Sequence, residues 1–369
     1  MLTKFTALAM GVLLSVSAMA ADMATLTRQA QSGDADAQLD LANEYYEQGN
    51  HAKAFEWYTK SAHQGDAQAK FNLGVMYAQG KGVRQDYQKA VEWFTKAAGQ
   101  GDAKAQFNLG VMYYNGYGVR QDYQKAHEWY TKAANQGFAQ AQYNLGVMYD
   151  KGHGVRQDYY KAVEWYTKAA NQGFAQAQYN LGVMYYQGKG VRQDYHKAVE
   201  WYTKAANQGY AEAQNNLGVM YAQGKGVLQD YHKAVEWYTK AASQEYAAAQ
   251  FNLGAMYYEG DGVRQDYHKA VEWYTKSAHQ GDAQAKFNLG VMYAQGKGVR
   301  QDYHKAHEWF TKAANQGHAG AQNNLGAMYY SGEGVRQNKS TAKRYFGQAC
   351  DHGDQSGCDN YRILNQQGY

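Results

Sequence analysis

Proline is absent from all 369 residues, and cysteine occurs only twice. A chain without proline has no polyproline linker or collagen-like segment, and it must make its turns with another residue. Two cysteines build neither a repeated disulfide framework nor a four-thiolate zinc site. Neither sign of charge dominates: 37 Lys and Arg face 33 Asp and Glu, for a net charge of +4. That balance excludes a phosphate-neutralising stripe, so no nucleic-acid partner is expected. After the first 20 residues no apolar run approaches the roughly 20 residues of a spanning helix, so no membrane insertion is expected. With 45% hydrophobic and 19% charged residues the chain is too apolar for disorder. Its surplus lies in 40 Gly and 36 Tyr, and both prove periodic.

Residues 1–20 read as an export signal. Lys4 gives a positive start, Phe5 to Val16 is mostly apolar, and Ala18-Met19-Ala20 is a small-x-small cleavage site. Ser15 and Ser17 interrupt the apolar run too early for an anchor, and no Cys follows the cleavage point as a lipoprotein requires. Cleavage is expected after Ala20, placing the mature chain in the periplasm or the medium.

The remainder repeats itself. Trp stands at 57, 93, 129, 165, 201, 237, 273 and 309, each 36 residues after the last. Full units begin at Gly65, Gly101, Gly137, Gly173, Gly209, Glu245, Gly281 and Gly317, after a shorter unit over 33–64. Residues 33–352 thus hold nine repeats, flanked by 21–32, the start of the first helix pair, and by a C-terminal capping fragment, 353–369. Such a period denotes a solenoid whose units bury their apolar faces against their neighbours.

Within the unit Gly65–Gln100, Ala69, Leu73, Met76 and Tyr77 share one face of a helix over about 67–79. Gly80-Lys81-Gly82-Val83 breaks it, glycine supplying the positive φ of a helix end and tight turn. Asp86 is a good N-cap for a second helix from Tyr87 to about Ala98, with Ala90, Phe94 and Ala97 inward. The pattern Ala69, Leu73-Gly74, Tyr77, Gly80, Gly82-Val83, Asp86, Lys89-Ala90, Trp93-Phe94, Lys96-Ala97-Ala98 and Gly101 resembles the Sel1-like repeat, a relative of the tetratricopeptide repeat. Departures are Glu245 for the opening Gly, Asn338 for the N-cap Asp, and Tyr345 for Trp. The resemblance implies an all-α fold: a right-handed superhelical α/α solenoid with first helices lining the concave side. It implies no single activity.

The first helix has a second face, about 200° round from Leu73, holding positions 68, 71, 75, 78 and 79. Position 71 reads Phe71, Phe107, Tyr143, Tyr179, Asn215, Phe251, Phe287 and Asn323 through the copies. Position 78 reads Ala78, Tyr114, Asp150, Tyr186, Ala222, Tyr258, Ala294 and Tyr330. Leu73, Gly74 and Tyr77 do not vary, so they hold the stack while the variable positions are free to fit a ligand. An aromatic groove suits a protein or peptide partner. The alternative is that these rings fill gaps between neighbouring first helices. Phe71, Phe107, Tyr143, Tyr179, Asn215, Phe251, Phe287 and Asn323, with Tyr114, Tyr186 and Tyr258, are the candidate binding residues.

Cys350 and Cys358 stand eight apart, and in an oxidising compartment the default for them is a disulfide tying down the C-terminal fragment. Their spacing resembles that of the Helicobacter cysteine-rich proteins, although one pair makes the likeness partial. His196, His232, His268 and His304 form a ladder too widely spaced to share one ion; no metal and no cofactor is expected. Glu56-Lys60 and its copies down to Glu308-Lys312 read as i, i+4 ion pairs on the second helices.

Catalysis finds little to rest on. Ser340-Thr341-Ala342-Lys343 matches S-x-x-K without its partner motifs, and in register it is an ordinary second helix. Residues 57–87 and 273–303 are identical over 31 positions, so blocks have been duplicated, which an extended scaffold tolerates. The expectation is a non-enzymatic interaction module. The alternatives are binding or hydrolysis of a cell-wall component such as peptidoglycan, or of a β-lactam, and a secreted factor that meets a host protein.

Overall fold

The computed structural model describes residues 23–369; the export segment 1–20 lies outside them. Helices alternate with short turns, and among the described residues there is no strand. Pairs run from Ala35–Glu47 with His51–His63, through Ala67–Gln79 with Tyr87–Gly99, to Ala319–Ser331 with Lys339–Asp351, and Gln355–Gln366 follows. Both helices of the Gly65–Gln100 unit thus fall within a residue of the spans expected. Residues 23–31 are helical and are cut from Ala35–Glu47 by Gly33, at φ +100°. They make a helix of their own rather than the start of the first pair. Their Ala30 is buried against Ala37 and Leu41.

The pairs gather into two compact units, one of residues up to 177 with 189–191, the other of 178–188 and 192–369. In the first unit each core joins the second helix of one pair to the first helix of the next. Ala90, Phe94, Ala97 and Ala98 pack with Ala105, Leu109 and Met112. The second unit repeats this, for example with Ala270, Tyr274 and Ala278 against Ala285, Leu289 and Met292. A core of this kind lies between pairs, so no pair buries its apolar face alone.

Local chemistry ends each helix. Asp86 accepts from Lys89 N and starts the second helix. Gly80, left-handed at φ +70°, ends the first, its N–H donating to Met76 O. The intervening loop folds back through Asp86 N to Tyr77 O at 2.9 Å and Gln85 Nε2 to Ala78 O at 2.8 Å. Gly82 has a further reason to be glycine. A Cβ there would come within 2.1 Å of His51 O, at the start of the preceding second helix. The loop of one repeat is therefore seated on the backbone of the repeat before it. Gly74 is also spatial: a Cβ would stand 2.6 Å from the Phe94 ring.

At the C-terminus Cys350 and Cys358 form a disulfide-competent pair, Cα atoms 4.4 Å apart. It joins helix Lys339–Asp351 to Gln355–Gln366, whose Leu364 is buried with Ala342 and Phe346.

Candidate interaction face

Position 71 does not turn wholly away from the core. Phe71, Phe107, Tyr143, Tyr179, Phe251 and Phe287 are all half-buried. Each leans on the ring at position 94 of its own pair: Phe71 on Phe94 at 5.8 Å, Phe251 on Tyr274 at 5.5 Å, Phe287 on Phe310 at 5.9 Å. In several copies a ring from the start of the next first helix closes the other side, Phe138 against Phe107 at 5.2 Å and Tyr210 against Tyr179 at 5.2 Å. The gap-filling alternative thus accounts for much of each ring. The angle of 200° belongs to one ideal helix taken alone, whereas the neighbouring pair covers part of that arc. Asn215 departs furthest, being buried, with Asn252 Nδ2 donating to its Oδ1 at 2.9 Å. Asn323 likewise accepts from Asn360, at 3.3 Å.

Position 78 stays closer to solvent. Tyr114, Tyr186 and Tyr258 are half-buried and Tyr330 is exposed. In the second unit the first-helix face is hollow. A cavity of about 480 Å³ is lined by residues that include Ala294, Tyr303, Phe310, Asn324, Tyr330 and Glu333. One of about 200 Å³ lies among Tyr258, Glu259, Tyr274, Phe287, Asn288 and Val291. Positions 71, 75, 78 and 79 contribute to these two cavities, while two others, of about 600 and 650 Å³, lie over the loops at Arg264–Lys269 and Arg300–Lys305.

Two sets of polar residues escaped the sequence reading, and a third corrects it. Asn recurs at position 72, and the phenol at position 94 of the preceding pair bonds to it, as Tyr130 does to Asn144 and Tyr274 to Asn288. Burial pushes the Tyr274 phenol up to about 12, so it remains neutral. Gln106 is buried; its Nε2 donates to Ala98 O at 3.3 Å while Gln136 Nε2 donates to its Oε1 at 2.8 Å. Gln142 and Gln214 repeat the arrangement. The third set corrects the ion pairs. Glu56–Lys60, Glu164–Lys168 and Glu272–Lys276 close at 2.8–2.9 Å, but no other copy pairs this way among the described residues. Lysine instead sits over the Trp ring three residues before it in all eight copies, from Lys60 over Trp57 at 3.8 Å to Lys312 over Trp309 at 4.3 Å. The exposed carboxylate gains little from pairing in water, while the ring face holds an ammonium and its stem.

His196, His232, His268 and His304 are exposed. Among the described residues no group of three or more His, Cys, Asp or Glu side chains stands close enough to hold a metal ion. His127 and His307 replace Val at position 91. They meet Tyr149 and Tyr329 of the next pair, ring nitrogen to hydroxyl 3.1 and 3.2 Å, and burial lowers the pKa of both. His318 opens a helix, its Nδ1 accepting from Ala321 N at 3.1 Å while it stacks on Phe287 at 4.6 Å; burial lowers its pKa as well.

Tandem helix pairs that share a core between neighbours, with glycine at every junction but that of Glu245, define an all-α repeat solenoid. The chain belongs to the Sel1 repeat family: the Sel1 repeat model matches residues 35–66, 67–102, 103–138, 139–174, 175–210, 211–246, 247–282, 283–318 and 319–354. A Sel1 repeat protein from Oxalobacter formigenes is 38% identical over 84% of this chain and 91% of its own, with a TM-score of 0.67. A protective antigen of uropathogenic Escherichia coli with the same fold is 35% identical over 94% of this chain and 90% of its own, with a TM-score of 0.58. Cysteine rich protein B of Helicobacter pylori is 26% identical over 36% of this chain and 94% of its own, at a TM-score of 0.30. No curated protein matches the chain.

Proposed function

We propose that this chain is a non-catalytic scaffold that holds a protein or peptide along its first-helix face, the concave side in the family's architecture. One observation carries the reading: the positions that vary from copy to copy, 71 and 78, line two cavities on the first-helix face of the second unit. Invariant residues, by contrast, are spent on the core and on the bonds between pairs. Tyrosine and phenylalanine at such positions offer large contact areas at low cost in rotamer freedom. We further propose export to the periplasm or the medium, on the strength of residues 1–20 and of a cysteine pair suited to an oxidising compartment.

The test is a crosslinking pull-down from envelope extract with the mature chain as bait. The comparison bait carries Tyr186→Ala and Tyr258→Ala. Alanine is native at this position in three other copies, Ala78, Ala222 and Ala294, so the fold is expected to survive, as circular dichroism will verify. A partner captured by the first bait and lost by the second supports the face. Equal capture by both baits refutes it and moves attention to the loops and second helices. N-terminal sequencing of the native protein, expected to begin at Ala21, tests the export proposal.

A further inference from the structure

The residue between the two loop glycines, position 81, reaches back to the preceding pair. In copies where that pair has Tyr at position 78, the reaching residue is basic. Lys297 Nζ donates to Tyr258 Oη at 2.7 Å and lies 4.9 and 5.4 Å from the ring centroids of Tyr258 and Tyr267. Lys225 does the same with Tyr186 and Tyr195, at 3.1, 5.4 and 5.7 Å. Lys81 bonds to Tyr46 at 3.1 Å. His153 takes the place of lysine between Tyr114 and Tyr123. Each forms a slot beside aromatic rings, filled by a basic side chain of the chain itself.

The three copies that follow an Ala at position 78 lack this filling, whereas Lys189, which follows Asp150, lies over Tyr159 at 5.5 Å. Ala78 is followed by Tyr117, which stacks on Tyr87 at 5.3 Å. Ala222 is followed by Asp261, and Ala294 by Glu333. At the last of these the wall tyrosine Tyr303 remains, Tyr258's counterpart is reduced to Ala294, and a carboxylate stands where the ammonium belongs. The loop still seats on the preceding pair, since a Cβ on Gly334 would lie 2.6 Å from Tyr303 O. What results is the cavity of about 480 Å³ lined by Ala294, Tyr303, Tyr330 and Glu333. Glu333 makes no ion pair among the described residues.

We infer that the Ala294–Tyr303–Glu333 slot receives a lysine side chain from a partner. The sister copies show the ligand class, because they hold a lysine on the corresponding tyrosine. Replacing the chain's own lysine by glutamate removes the occupant and adds a counter-charge for an incoming one. The inference rests on the first-helix face being the working surface and names the chemistry it selects.

The probe is a fluorescein-labelled dodecapeptide of alternating Ala and Lys, with its fully Nε-acetylated twin, titrated by polarisation against the full chain in 0.15 M salt. The unmodified peptide is expected to bind about tenfold or more tightly than the twin, the scale of a partly desolvated cation–π contact. The double variant Ala294→Tyr with Glu333→Lys, which installs the native Tyr258–Lys297 pair, is expected to lose most of that preference. Glu308→Lys, an equal change of charge on the exposed side of a second helix, is expected to keep it. No preference in the parent chain overturns the inference, as does retention by the closed variant or equal loss in Glu308→Lys. If the closed variant still captures the partner that Tyr186→Ala with Tyr258→Ala loses, the slot fails while the first-helix face stands.

Discussion

Gly298→Ala isolates the energy with which one repeat is seated on another. Gly298 lies at φ +67°, and a Cβ there would sit 2.2 Å from Tyr267 O and 2.4 Å from Tyr267 C. A carbon normally approaches a carbonyl oxygen to about 3.3–3.6 Å, so the loop must back away by roughly 1 Å. The retreat pulls on the adjoining Lys297–Tyr258 bond, 2.7 Å long. Left-handed alanine costs about 1–2 kcal/mol, and forcing an extra methyl into a packed contact adds about 1–3 kcal/mol. Gly209→Ala supplies the reference. Its φ of +89° is at least as unfavourable for alanine, but nothing lies within 4 Å of its Cβ. Gly298→Ala is therefore expected to destabilise by about 2 kcal/mol more than Gly209→Ala. Urea unfolding followed at 222 nm measures the difference. Hydrogen exchange locates it, with faster exchange expected in 283–314 rather than along the chain. Equal destabilisation by the two changes refutes the seating argument.

Three further outcomes are expected. Glu245 is the single non-glycine residue with positive φ among the described residues, at 63°; Glu245→Gly should raise stability by about 1 kcal/mol in the same urea assay. Burial holds His127, His307 and His318 below the free imidazole, so the folded state binds their protons less readily than the unfolded one. Their contribution is complete above about pH 6.5 and falls as pH drops through that value toward the lowered folded pKa. His127→Val with His307→Val, restoring the residue of five other copies, should flatten the fall in melting temperature between pH 7.5 and 5, and an unchanged slope would reject the assignment. Cys350→Ser should speed hydrogen exchange in Gln355–Gln366, a loss of about 2 kcal/mol for so short a loop, while leaving earlier pairs as they are.

The helix spans were legible because each is written twice, once in apolar spacing and once in its end signals. Asp86 and Gly80 mark boundaries that Leu73 and Phe94 only suggest. Contacts between copies were harder to read. The period tells which residues are equivalent, but not how far one pair is displaced against the next. Hence Gly82 read as a turn residue, although its Cβ space belongs to His51 of the preceding pair, and position 71 read as freer than it is. Lys96 was assigned to Glu92 because both lie on one helix at the favourable spacing; the Trp93 ring three residues back holds the ammonium instead, at 4.1 Å. Asn72 and Gln106 were visible as recurring letters. Their partners lie in other helices, where a one-dimensional reading has no access.

The alternation at position 78 gives the array a parity. A repeat with Ala at position 78 carries, three residues on, the cation that closes the tyrosine slot behind it, as Ala222 does with Lys225 and Ala294 with Lys297. Excising the single repeat that holds Tyr258 and Asp261 would deliver Lys297 to Ala222, with no tyrosine to receive it. Removing it together with either neighbouring repeat restores every match, Lys297 to Tyr186 or Glu333 to Ala222. The duplicated block, 57–87 and 273–303, is displaced by six repeats, an even step that returns Ala78 as Ala294. From Tyr186 onward the matched unit of this chain's length is thus a pair of repeats, 72 residues, rather than one of 36.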